Sequence, residues 1–184
     1  MKKLVLLFLF LAGALCAEPP MNKKVPNFTL TNQNNKAVSL YDFKGKVVLI
    51  TFLYTQCPYP DKCPMLAEKL GKTADLIDQI EGAKDKVQVI SITLDPKRDT
   101  PESLKKYAQG HDASENWTFL TGKAKDVSKV ASFFDVIYYT EKGVIEHNMR
   151  TIILDRDLKL VKVYKNNDWK PGELAAAIRD LVTK

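Results

Sequence analysis

The sequence predicts an α/β domain built on a mixed sheet, and three observations predict it. Lys46–Tyr54 and Val87–Leu94 are near-continuous β-branched and aliphatic runs, the composition of strands buried on both faces. Each run gives way to a segment with helical signals, so strand and helix alternate as in a parallel sheet. Near the C-terminus, Thr151–Asp155 and Leu160–Tyr164 flank Arg156-Asp157 as a hairpin, which adds an antiparallel portion.

The elements follow in order. Phe28–Leu30 and Ala37–Leu40 enclose Asn32-Gln33-Asn34-Asn35, turn-forming residues that predict an N-terminal β-hairpin. Lys46–Tyr54 is the central strand. A helix runs from about Met65 to Ile80, with Leu66, Leu70, Leu76, Ile77 and Ile80 available for its apolar stripe. Val87–Leu94 is the second buried strand, stopped by Asp95-Pro96. The next helix extends to about Gln109, with Thr100 as its N-cap and Pro101 at its first position, where a missing N–H costs nothing. Trp117–Leu120 reads as a short strand, Asp126–Phe134 as a short helix and Glu173–Val182 as a closing helix. No internal repeat, low-complexity tract or second domain is apparent.

The N-terminus sets the expected compartment. Lys2 and Lys3 precede an apolar run, Leu4–Leu11, and small residues Ala14, Cys16 and Ala17 follow, the layout of a secretory signal peptide. The run falls short of the ~20 residues that a spanning helix needs. Residues 1–17 are therefore expected as a signal peptide, residues 18–27 as a Pro-rich tether, and residues 28–184 as one domain without a transmembrane helix. Cys16 could carry a lipid, but Leu15 is a poor residue before a lipidated cysteine, so export without an anchor is the expectation.

Cleavage leaves two cysteines in a mature chain of about 167 residues, too few to staple a fold of that size, which has room for its own core. The whole chain carries +6; without Lys2 and Lys3 it carries +4. Its lysines are scattered and no nucleic-acid motif accompanies them, so they read as a solvated basic surface.

Cys57 and Cys63 lie in Gln56-Cys-Pro-Tyr-Pro-Asp-Lys-Cys-Pro-Met, directly after the central strand. Thiols at a strand-to-helix turn meet unpaired N–H groups and the positive end of the helix, which favour thiolate. Pro58, Pro60 and Pro64 stiffen the turn, and Pro64 suits a first helical turn. The two sulfurs could be soft metal ligands, a redox pair or an inert disulfide. His147, in Val144-Ile-Glu-His-Asn-Met-Arg, is the other candidate; His111, among polar loop residues, has a weaker claim. Two Cys and one His form a coordination set suited to copper more than to zinc.

Taken together, Phe52-Leu-Tyr-Thr-Gln-Cys-Pro, Cys63-Pro64 and Ser91-Ile-Thr-Leu-Asp-Pro-Lys-Arg-Asp-Thr-Pro-Glu resemble the Sco/SenC family, thioredoxin-like proteins that handle copper for cytochrome c oxidase assembly. The resemblance extends from about Val25 to Leu181. It implies a thioredoxin-like fold with an N-terminal β-hairpin and a mixed central sheet. It implies Cys57, Cys63 and His147 as ligands of a copper ion, Cu(I) or Cu(II), with Asp95 supporting the site or its loop. The implied role is a copper metallochaperone of the periplasm or cell envelope, whose partner is the copper-centre subunit of a terminal oxidase or another cuproprotein. Most members place three residues between their cysteines, whereas this chain has five. Thioredoxin-like reductases place a proline before the strand that corresponds to Thr151–Asp155; this chain has Met149 there. The alternative role is a thiol–disulfide oxidoreductase with Cys57 and Cys63 as its redox pair or disulfide. Cys57, nearer solvent, is expected to be the more reactive thiolate, with the longer loop holding Cys63 back from the helix start or moving that start to Pro64.

Overall fold

Residues 19–183 are described by the computed structural model; the signal-peptide reading of residues 1–17, including Cys16, lies outside them. The expected hairpin forms from β1 (Thr29–Asn32) and β2 (Ala37–Ser39). The two apolar runs become β3 (Val47–Leu53) and β4 (Val87–Thr93), and every residue of both is buried. β5 (Trp117–Thr121), β8 (Arg150–Leu154) and β9 (Leu160–Lys165) complete a seven-stranded sheet in the order β2-β1-β5-β4-β3-β8-β9. β3, β4 and β5 are mutually parallel, and all other pairings are antiparallel. β6 (Tyr138–Glu141) and β7 (Val144–His147) form a separate two-stranded ribbon that the sequence reading missed.

Among the described residues, α1 (Cys63–Asp78), α2 (Pro101–Gly110) and α3 (Ala124–Phe133) connect strands, and α4 (Pro171–Val182) follows the last one. Thr100 caps α2 as expected, its hydroxyl accepting from the Ser103 N–H at 3.2 Å. α1 starts at Cys63, two residues before the expected Met65, because Lys62 already accepts from Leu66 at 2.9 Å. Leu66, Leu70 and Ile77 form its buried stripe, but Leu76 is exposed. Seven residues are close to two full turns, so Ile77 stacks under Leu70 while Leu76 lies about 100° round the helix. Residues 22–25 of the expected tether are docked rather than free. Asn22 and Val25 donate to Leu160 and Leu158 at 2.7 and 2.9 Å, and the Val25 side chain is buried.

The core lies on both faces of the sheet. The register places Thr51, Ser91 and Phe119 on one face, where Tyr107 of α2 meets Phe119 edge-on. Phe52, on the other face, meets Phe134 at the end of α3 with ring centroids 6.1 Å apart. A small polar cluster is sealed inside the first face. The Trp117 indole N–H donates to Ser91 Oγ at 2.9 Å, and Ser91 Oγ lies 3.0 Å from Thr51 Oγ1. A buried donor left without its partner costs about 1–3 kcal/mol. Ser91→Ala is therefore expected to lower unfolding free energy by about that amount in chemical denaturation; an unchanged midpoint would mean that the cluster contributes nothing to stability.

Candidate metal centre

The pairing of β3 brings three strand ends to one edge of the sheet. β3 runs parallel to β4, with Leu53 opposite Thr93, and antiparallel to β8, with Thr51 opposite Thr151. The exits of β3 and β4 and the entrance to β8 therefore lie side by side. The cysteine loop leaves the first, the Asp95–Asp99 turn leaves the second, and His147 approaches the third.

Asp99 locks the first two ends together. It is fully buried, and its carboxylate accepts from Thr55 Oγ1 at 2.5 Å, Thr55 N–H at 3.1 Å and Thr93 Oγ1 at 2.5 Å. A buried carboxylate is tolerable when donors replace its water in this way. The expectation of support from Asp95 is met indirectly. Asp95 pairs with Arg98, which donates to Gln56 Oε1 at 3.3 Å, so it reaches the residue before Cys57 through an intermediary. Asp99 grips the loop root directly.

The two cysteines are free thiols in unlike environments. Cys63 is fully buried at the first position of α1, and Cys57 is half-buried on the loop. A hydrogen bond from the Cys63 side chain, with further help from the backbone N–H groups of Cys63 and Tyr59, overcomes burial and brings the Cys57 thiol down to about 6. The same hydrogen bond, then burial, pushes the Cys63 thiol far up. Of the two thiols Cys57 therefore ionises more readily, and Cys63 keeps its proton. The helix starts at Cys63 rather than at Pro64, and its first N–H serves the Cys57 sulfur. The buried Tyr54 hydroxyl has no hydrogen bond of ordinary geometry; burial, then the charge on Cys57, raise its pKa.

His147 ends β7 and is buried, with its ring edge-on to Tyr54 at 6.2 Å. Its Nδ1 lies 3.0 Å from the Asn148 carbonyl, which can only accept, so Nδ1 carries the proton. Burial lowers the imidazole pKa, and the neutral ring then presents the Nε2 lone pair, 3.9 Å from Cys63 Sγ. Asn148 holds the base of the ribbon as well. Its Oδ1 accepts from Ile137 N–H at 2.9 Å, and its Nδ2 donates to the Asp135 carbonyl at 2.9 Å. Asp135 is in turn paired with Arg150 at 2.7 Å. His111, by contrast, follows the end of α2 and packs its ring on Tyr107 at 4.3 Å.

The structure thus brings Cys57 to Cys63 and Cys63 to His147. Among the described residues no group of three or more His, Cys, Asp or Glu is already gathered at metal-holding distances. The donor chemistry suits a soft metal.

The SCO1/SenC family model matches residues 17–183. The chain belongs to the SCO1/SenC family. It is 32% identical over 175 residues to the SCO1 protein homolog of Bacillus subtilis (strain 168), covering 91% of this chain and 87% of that one. Bradyrhizobium japonicum ScoI, solved with copper bound, superposes with a TM-score of 0.73 at 32% identity, over 86% of this chain and 99% of that chain. BsSco, described with a disulfide switch and as a member of the Sco family of cytochrome c oxidase assembly proteins, gives a TM-score of 0.72 at 30% identity, over 92% and 99%. The fold is the thioredoxin-like one that the resemblance implied.

In this SCO1/SenC member the five-residue loop is held from two sides. Tyr59 OH donates to Glu146 Oε1 at 2.5 Å, and Lys62 Nζ reaches Glu146 Oε2 at 2.8 Å. Lys62, and then Tyr59, hold the Glu146 carboxyl below its usual range. On the far side, Asn167 Nδ2 donates to the Lys62 carbonyl at 3.1 Å and the Asp61 carbonyl at 3.3 Å. The sequence reading missed Tyr54, Asp99, Glu146 and Asn167 as parts of the site. Only the ribbon carried a local signal. Lys142 and Gly143, with φ of 49° and 83°, form a two-residue turn of the kind that joins tight hairpins.

Alkylation separates the thiols. The Cys57 rate is expected to rise with pH through a midpoint of about 6, while Cys63 stays unreactive in the folded protein. Cys63→Ala removes the donor that most lowers Cys57 and should move that midpoint upward by about one unit or more. Mass spectrometry showing Cys63 modified first would reverse the assignment.

Proposed function

We propose that this protein takes up a copper ion in the cell envelope and passes it to a copper centre of a terminal oxidase, with Cys57, Cys63 and His147 as its ligands. One observation carries the reading: His147, its Nδ1 proton engaged by a backbone carbonyl, aims Nε2 at Cys63, the second cysteine of the loop. Ligating histidines in metal sites are oriented by such a bond on the other ring nitrogen. Thiolates favour Cu(I), and imidazole extends the same set to Cu(II). The copper-bound relative from Bradyrhizobium japonicum supports the choice of metal.

Copper is cargo here, and the protein's residues prepare for its arrival. The Cys57 thiol is brought down to about 6, whereas the Cys63 thiol is pushed far up and must release its proton when the metal binds. Affinity should therefore weaken as pH falls and protons compete for the sulfurs. Release would proceed by exchange of these ligands for cysteines of the partner. Placement in the envelope rests on residues 1–17 as a leader, and no helix among the described residues is long and apolar enough to cross a membrane.

Titrating the reduced protein with copper tests this reading. One equivalent should bind, the disulfide form should bind none, and Cys57→Ser, Cys63→Ser or His147→Ala should each weaken retention by about tenfold or more, the scale of ~1.4 kcal/mol. Absence of binding, or binding unaltered by Cys57→Ser, would refute it.

The unequal acidity of the two thiols favours one further reading, reduction of partner disulfides. Cys57 would attack as thiolate, and Cys63 would resolve the mixed disulfide. The Cys57–Cys63 disulfide forms as the substrate's S–S bond breaks, and two electrons with the one proton held on Cys63 pass to the substrate, which leaves as one thiol and one thiolate. This chemistry has no use for His147. His147→Ala should therefore lose copper yet keep thiol–disulfide exchange, and loss of both would tie the two activities to one geometry.

A further inference from the structure

We propose that Tyr59, Lys62 and Glu146 form a positioning latch that sets how closely the five-residue cysteine loop approaches His147; its consequence for copper rests on the reading above. The latch spans both limbs of the loop. Tyr59 lies two residues after Cys57, and Lys62 immediately precedes Cys63. Both converge on Glu146, the neighbour of His147 on β7. Each carboxylate oxygen takes one donor, at 2.5 Å from Tyr59 and 2.8 Å from Lys62. The Lys62 ammonium also sits over the Tyr59 ring, 4.3 Å from its centroid, so the three groups form one closed cluster.

What this cluster joins gives it its role. The β6–β7 ribbon has no strand pairing with the seven-stranded sheet, and its base is held at Asp135, Asn148 and Arg150. The loop is braced internally by Lys62 N–H to the Tyr59 carbonyl at 3.1 Å and Met65 N–H to the Pro60 carbonyl at 3.1 Å. Two locally stiff pieces therefore meet, one bearing the cysteines and the other the histidine. Glu146 fastens them to each other, while Asn167 holds the loop from the opposite side. Successive strand residues point to opposite sides, so the Glu146 fastening leaves the His147 ring free to face Cys63.

The energetics suit positioning better than fold stability. The Lys62 and Glu146 side chains are 27% and 24% exposed, so water still reaches and screens this partly covered pair, which limits what it adds to global stability. Their removal should thus loosen the site without unfolding the protein. Tyr59 is also a residue of the five-residue loop, so the latch ties that loop to the strand that carries the histidine.

The test uses the reduced full-length mature chain, with copper itself and a chelator as probes, and Glu146→Ala and Glu146→Gln as variants. Glu146→Ala is expected to release Cu(I) to the chelator about tenfold faster, the lower end for lost supporting contacts at metal sites. It should also shift the thiolate-to-copper(II) absorption band. In the metal-free protein, amide exchange should quicken at Tyr59, Asp61 and Lys62 and in residues 144–147 and stay unchanged elsewhere. Glu146→Gln keeps an acceptor for Tyr59 and should recover part of each effect. Release within about twofold of the unsubstituted chain with an unmoved band, or unaltered exchange in both segments, would overturn the latch. If the unsubstituted chain takes up no copper, the copper reading falls, and amide exchange alone decides whether the latch exists.

Discussion

Because β3 is paired in parallel with β4 and antiparallel with β8, residues far apart in the chain converge at a single edge of the sheet. A parallel neighbour delivers its C-terminal end to the place where β3 stops, and an antiparallel neighbour delivers its N-terminal end there. Cys57 and Asp99 therefore sit beside the approach to β8, where His147 lies. Burial of β3 on both faces makes this arrangement costly to shift, since a slip of one residue would turn every side chain to the other face. The rigid part of the site is thus strand-borne, and its adjustable part is the loop.

Chemical asymmetry follows from the same placement. Cys63 is carried into the core by the first turn of α1, where a charged sulfur would be poorly solvated, so it keeps its proton. Cys57 stays on the half-exposed loop, where its thiol is the more easily ionised of the two. Two residues of one type are thereby differentiated into a more and a less acidic thiol. His147 completes the division as a neutral base, because burial disfavours its cation and the Asn148 carbonyl selects its tautomer.

Much of this was legible in the sequence where burial imposes a pattern. The runs that became β3 and β4 and the Thr100-Pro101 start of α2 carry local signals strong enough to survive in the tertiary structure. The β6–β7 ribbon carries none of that kind. β6 is largely exposed, so hydrophobic alternation is weak in it, and Lys142-Gly143 was the available clue. Leu76 counted toward a stripe on hydrophobicity alone, although the helical angle excludes it. The contacts of Glu146 with Tyr59 and Lys62 span more than 80 residues and depend on sheet register, which no local pattern encodes. The pairing of His147 with the cysteines came from the family resemblance, as its own surroundings in the sequence mark it only as a histidine before a strand.

The docking of residues 22–25 beside the start of β9 bears on how other chains can meet this one. Asn22 and Val25 occupy backbone carbonyls at that margin, and Lys162 and Lys165 lie further along β9. At the opposite margin β2 is only three residues long. Covered, charged or very short margins discourage strand addition and the edge-to-edge association that leads to aggregates. The sulfurs and imidazole lie at the ends of the strands, roughly at right angles to those margins. A visiting protein would therefore meet loops and side chains end-on rather than a strand margin.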